Sequence, residues 1–191
     1  MMAKKTGRGP AGAAKYETLK DFVVAVGEYP NIDWRQFLLW ALQNDDLVAR
    51  VEITDWMLDH GADPAMIDDS EDINALHVLF YEREHDYLPE ARLIQRFLDG
   101  GLDINLRSPK WNVPIHVMME NVYLSDEELG PFYDVIFSHP GIDWEVRVGK
   151  LHDEPCSLQQ YVEHFKKWHQ ELYRRMCDYL ENGPSPRPVF S

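Results

Sequence analysis

Many residues in this 191-residue chain could do chemistry, but few are spaced for it. His164 and His169 are five apart, which puts them on different faces of a helix and makes them a poor metal pair. The run His152-Asp153-Glu154-Pro155-Cys156 contains ligand types, but His152 and Cys156 lie on opposite sides of a proline in an expected loop. Asp68, Asp69, Glu71 and Asp72 are dense in carboxylate, yet a calcium loop also needs a glycine, and MIDDSEDINA has none. No nucleophile elbow, phosphate-cradling glycine loop or Cys/His dyad spacing is present. These observations predict a protein that is not an enzyme, with no catalytic, metal or cofactor-binding residues. The enzymatic alternative is a hydrolase or metal-dependent enzyme using the loop around His152.

Charge points to the class of partner. The chain has 33 acidic and 19 basic residues, a formal net charge of -14. Four of the basic residues, Lys4, Lys5, Arg8 and Lys15, fall in the first fifteen positions, which contain no acid. The remainder sets 15 basic against 33 acidic residues, a net of -18. Such a body repels phosphate backbones and attracts a basic protein surface, so no nucleic-acid partner is expected. No run of eighteen apolar residues exists, so no membrane span or membrane partner is expected. The basic N-terminus lacks the apolar core of a secretory signal, and Cys156 and Cys177 show no redox spacing. Both features predict a cytoplasmic protein.

The elements that would position a site repeat along the chain. Gly61-Ala62-Asp63, Gly101-Leu102-Asp103 and Gly141-Ile142-Asp143 recur at intervals of forty. A second marker keeps nearly the same period: Asn74-Ala75-Leu76-His77, then Val113-Pro114-Ile115-His116 thirty-nine later. Before each glycine runs a helical stripe, such as Leu129, Phe132, Tyr133, Ile136 and Phe137 at i, i+3, i+4, i+7 and i+8. Gly61, Gly101 and Gly141 are placed to take the left-handed conformation that ends a helix. A single helix pair cannot bury its apolar face, so the period predicts stacked units.

In this wording the chain resembles ankyrin repeats. MLDHGADP (57–64) is similar to the end of that family's outer helix and its turn. Asp103-Ile104-Asn105-Leu106 resembles the family's Asp-Val-Asn-Ala, and Val113-Pro114-Ile115-His116 its Thr-Pro-Leu-His. The period is forty rather than about thirty-three, with the extra residues after the histidine in the connectors 81–90 and 120–131. The resemblance implies an all-α, ankyrin-like helix-pair solenoid with short hairpin or turn fingers, about four repeats including degenerate caps. It would span residues 16–183, between a disordered basic tail (1–15) and a proline-rich C-terminal tail (184–191) that leaves the fold. It also implies that His77 and His116 tie their turns to neighbouring backbone.

By the same resemblance the protein is a non-enzymatic interaction module, binding a partner protein on a concave face of fingers and inner helices. The candidate contacts are Met66, Ile67, Asp68, Asp69, Tyr81, Glu82, Arg107, Lys110, Trp111, Asn112, Glu120 and Asn121. Trp111 stands where the family usually has glycine. It reads either as packing on the adjacent finger or as a binding anchor, since aromatic residues dominate interface energetics. With the acidic body, this predicts an inhibitor or immunity-type partner of a basic protein, monomeric when free. A third possibility is a structural repeat protein that self-assembles through aromatic end caps.

Overall fold

The computed structural model describes residues 9–190. It contains ten α-helices, one short 3-10 helix and two antiparallel two-stranded sheets among the described residues. Helices α1 (Pro10–Tyr16) and α2 (Leu19–Glu28) are followed by the 3-10 turn Trp34–Phe37, α3 (Leu38–Ala41) and α4 (Leu47–Asp59). Strands β1 (Ile67–Asp68) and β2 (Ile73–Asn74) precede α5 (Ala75–Tyr81) and α6 (Tyr87–Asp99). Helices α7 (Pro114–Glu120) and α8 (Gly130–Ile136) come next. Strands β3 (Arg147–Leu151) and β4 (Glu154–Ser157), then α9 (Leu158–Phe165) and α10 (Gln170–Asn182), complete the chain.

The all-α solenoid expected from the sequence is therefore incorrect, because the fold mixes helices with two small sheets. The larger departure is the β3–β4 hairpin. Its two loop residues, His152 (φ 52°) and Asp153 (φ 70°), both take positive φ. Paired positive φ values belong to the hairpin turn whose twist matches the flanking strands. The usual Asn-Gly signal for that turn is missing here.

The forty-residue period appears as direct hydrogen bonds between successive units. Asn74 Nδ2 donates to Asp103 O at 2.7 Å, and Asn105 Nδ2 to Gly141 O at 2.8 Å. Asn105 Oδ1 accepts from Asp143 N at 2.9 Å. Asp63, Asp103 and Asp143 each accept, through Oδ1, the backbone N–H two residues on, at 2.9, 2.8 and 2.9 Å. These are three copies of one Asx turn. Gly61, Gly101 and Gly141 all have φ near 90°, which L side chains rarely adopt. Neighbouring Gly100 has a separate role: a Cβ there would meet Pro64 Cγ at 2.1 Å. The double glycine thus combines a close approach to the preceding turn with a left-handed residue.

Between the turns, α5 packs on α7, α6 on α8 and α4 on α6. Leu76 and Ile115, placed in the core by their register, are buried, as are Phe80, Phe97, Phe132 and Tyr133. Inside this apolar stack is an ion network absent from the sequence reading. Arg50 (1% exposed) donates from Nη1 to Glu90 Oε1 (0% exposed) at 2.9 Å and to Glu84 O at 2.8 Å, and from Nε to Asn44 O at 3.0 Å. His85 Nδ1 lies 2.5 Å from the other Glu90 oxygen. Both charges are lodged where water cannot compensate them, so each depends on the other.

The two ends also differ from expectation. Residues 10–15, expected to be disordered, belong to α1, with Ala13 and Ala14 fully buried. Pro10 sits at the helix start, where a missing N–H costs nothing, and the following alanines favour a helix. Asn44 Nδ2 secures the end of α1 through Ala14 O and Glu17 O, both at 3.0 Å. The basic residues Lys4, Lys5 and Arg8 lie outside the described residues. At the other end the helix stops before Gly183 (φ 80°), but the prolines do not carry the tail away. Ser185 N donates to Phe137 O at 2.9 Å, Arg187 pairs with Asp99 at 2.7 Å, and Phe190 packs against the core. An extended proline-rich strand cannot continue a helix, yet it can still lie along one.

Candidate functional site

The candidate site is assembled around Ser108, a fully buried side chain at the base of a tight turn. Backbone bonds Ser108 N to Asn112 O and Asn112 N to Ser108 O, each 2.9 Å, close the turn. Asn112 makes closure possible by taking φ 60°, which asparagine tolerates better than most residues. Ser108 Oγ accepts from Lys110 N and Trp111 N at 3.3 Å, and donates to Glu71 O in the preceding turn at 2.7 Å. Trp111 is held on both sides as a result. Its indole Nε1 donates to Glu71 Oε2 at 2.7 Å, and its ring meets Tyr81 edge-on at 4.5 Å with an 86° interplanar angle. Lys110 Nζ lies 4.8 Å from the Trp111 ring centroid and 3.2 Å from Glu71. The Trp111 N–H and then Lys110 hold the Glu71 carboxyl below its ordinary range.

Tyr81 ends α5 and is 60% exposed, and with the half-buried Trp111, which packs against the core, it forms a ridge. A groove lies on each side of it. The larger, about 370 Å³, includes Arg83, His116, Asn121 and Tyr123; the smaller, about 350 Å³, includes Lys15, Ile73, His77 and Glu82. The Arg83 guanidinium sits 4.6 Å over the Tyr123 ring. Asn121 Nδ2 donates to Phe80 O at 2.9 Å and to Glu82 O at 2.7 Å, joining the α7 connector to the end of α5. Glu120, exposed at the end of α7, accepts a hydrogen bond from the Tyr161 hydroxyl. Burial raises the Glu82 carboxyl above its ordinary range.

Of the residues picked from the sequence, Tyr81, Lys110, Trp111, Asn112, Glu120 and Asn121 come together around the larger groove. Glu82 joins Tyr81 and Trp111 around the smaller. Met66, Ile67, Asp68, Asp69 and Arg107 line neither. Met66 is half-buried against the core instead of standing free, while Ile67 is 42% exposed. Asp69 and Arg107 are exposed, and Asp68 binds the Ser70 hydroxyl and N–H, which keep its carboxyl below the usual range. Arg83, Val122 and Tyr123 were missed because they fall in connectors that carry no repeat marker.

The two histidines in the shared register behave differently. His77 completes a capping box with Asn74 and places Nε2 2.9 Å from Asn112 O, so it does tie adjacent turns together. His116 does not. Its helix is capped by Val113, which has no side-chain acceptor, and neither ring nitrogen has a hydrogen-bond partner among the described residues. Its ring packs on Tyr161 at 4.7 Å, and its remaining edge lines the larger groove. The expected structural role for His116 is thus corrected. Burial holds both imidazoles below their ordinary pKa.

Around His152, the exposed hairpin loop places its ring 5.4 Å from His164, while Cys156 is buried on β4. Among the described residues, no group of three or more His, Cys, Asp and Glu is arranged to hold a metal ion. Also among them, no helix is long and apolar enough to cross a membrane.

No family model and no curated protein matches the chain. A solved structure similar to it is that of a functionally unknown protein from Leptotrichia buccalis C-1013-b. The two are 22% identical, with a TM-score of 0.72, over 92% of this chain and 94% of the other. At that identity the likeness concerns the fold alone, and it extends over nearly the whole length of both chains.

Proposed function

We propose that this protein is a non-enzymatic, cytoplasmic binding module that docks a partner protein over the Tyr81–Trp111 ridge. The observation that carries this reading is the ridge itself, two large aromatic rings fixed edge-to-face between two grooves, with Tyr81 60% exposed. Preorganised aromatic anchors beside concave surface are the residues that most often dominate binding energy. The acidic body, with net charge -14, favours a partner that presents a basic surface. Such a protein would act by covering that surface, as an inhibitor or immunity-type partner does, and would be monomeric when free.

The test is affinity capture from native lysate, run in parallel with the wild-type chain and a Tyr81→Ala/Trp111→Ala double variant. A basic protein retained by the wild type and lost with the variant is the expected result. Equal retention by both chains would count against the ridge.

A further inference from the structure

The larger groove holds a cation that has no carboxylate partner among the described residues. Its lining includes two cations, Arg83 and Lys110, and one carboxylate, Glu120, in a chain where acids outnumber bases 33 to 19. Glu120 is occupied by the Tyr161 hydroxyl. Lys110 is shared with Glu71. Arg83 has no carboxylate within 4 Å among the described residues, and its guanidinium stacks on Tyr123, which holds the plane in one orientation. His116 adds an imidazole with no hydrogen-bond partner among those residues. An orientated guanidinium without a carboxylate partner, in the same groove as a ring nitrogen without one, suits a planar oxyanion. Trp111, Tyr81 and the exposed Val122 and Tyr123 supply apolar surface next to it.

We infer that the larger groove receives a segment of the partner in which an apolar side chain adjoins a carboxylate. The apolar group lies against Trp111 and Tyr81, and the carboxylate is held by Arg83 with His116 as a second polar contact. The inference rests on the docking face proposed above and specifies what enters it. A partner with a basic surface would then be attracted by the acidic body and placed in register by one acidic residue, since local pairing of opposite sign fixes orientation.

The test is a nitrogen-15 NMR titration of the full chain with two blocked peptides, acetyl-Gly-Leu-Glu-Gly-amide and acetyl-Gly-Leu-Lys-Gly-amide. The Glu peptide is expected to shift the Trp111 indole, the Arg83 side-chain N–H and the Asn121 amide. The Lys peptide should bind about tenfold more weakly, the scale of a lost charge-assisted hydrogen bond. Arg83→Gln, an exposed change, should abolish the difference while leaving the spectrum otherwise native. Equal binding of both peptides at these resonances would overturn the carboxylate assignment but leave the docking face standing. Absence of any shift in the groove with either peptide overturns the inference, and the lysate capture then decides the docking face independently.

Discussion

The indole of Trp111 donates to Glu71 at 2.7 Å, forty residues back along the chain, while its ring leans edge-on against Tyr81 at 4.5 Å. Two successive turns are thereby joined by the side chain proposed as the anchor. The sequence left packing on the adjacent turn and anchoring as alternative roles for Trp111. It packs against that turn, and the proposal is that the same packing readies it to bind.

Glu71 lines neither groove, yet Glu71→Ala should weaken partner binding. Release of the indole means that it must be re-immobilised on binding, a loss of roughly threefold to tenfold. The variant should fold normally and its Trp111 indole resonance should move and broaden. An unchanged affinity would mean that the Glu71 bond does not preorganise the ring.

Stability should depend strongly on the buried pair Arg50–Glu90. Glu90→Gln or Arg50→Met alone removes the nearest opposite charge from a desolvated ion and should cost about 3–5 kcal/mol in urea unfolding. The double variant Arg50→Met/Glu90→Leu should recover much of that loss, since apolar groups of similar volume need no partner. Additive losses in the double variant would contradict this.

Gly100→Ala should destabilise the protein by about 1–3 kcal/mol, because its Cβ would overlap Pro64 and the two turns must separate. A Pro64→Gly change made together with it should relieve part of the loss. Additivity in that double-mutant cycle would show that the two turns are not in contact.

The period was legible because it is written in backbone-shaping residues. Glycine at the left-handed position, Asp in its turn and Asn reaching to the next turn are local requirements that recur wherever the turn recurs. Connector contents and long-range pairs have no such signature. Arg50 and Glu90 look like ordinary surface charges on amphipathic helices until the helices stack. The β3–β4 hairpin escaped notice because His152-Asp153 adopts a turn usually marked by Asn-Gly. The alanine-rich stretch of α1 was hidden by the glycines and proline around it, although Pro10 begins the helix. His116 shared its register with His77 but not its partner, since an Asn cap accepts a hydrogen bond and a Val cap cannot.

Histidine burial sets the direction of one pH effect. His77 is held below its ordinary pKa of 6.5 by burial, so in the folded state it stays neutral while the unfolded chain takes up a proton. The unfolded state then binds more protons as pH falls below about 6.5, and folding stability falls with it. His116, His139 and His169 are shifted in the same direction. Carboxylates also titrate toward acid, so the informative comparison is between chains: His77→Gln should lose less stability than wild type from pH 7.5 to pH 5.5. A steeper loss in the variant would contradict a neutral, buried His77.

The most direct measurement is the dissociation constant of the captured partner for Trp111→Ala set beside that for Glu52→Ala, an exposed change on α4 that touches neither groove. Docking over the ridge predicts a loss of at least about 1–2 kcal/mol for Trp111→Ala and none beyond error for Glu52→Ala, with both chains folded. Binding that survives Trp111→Ala unchanged but fails with Glu52→Ala would contradict it, and would move the interface to the α4 side of the molecule.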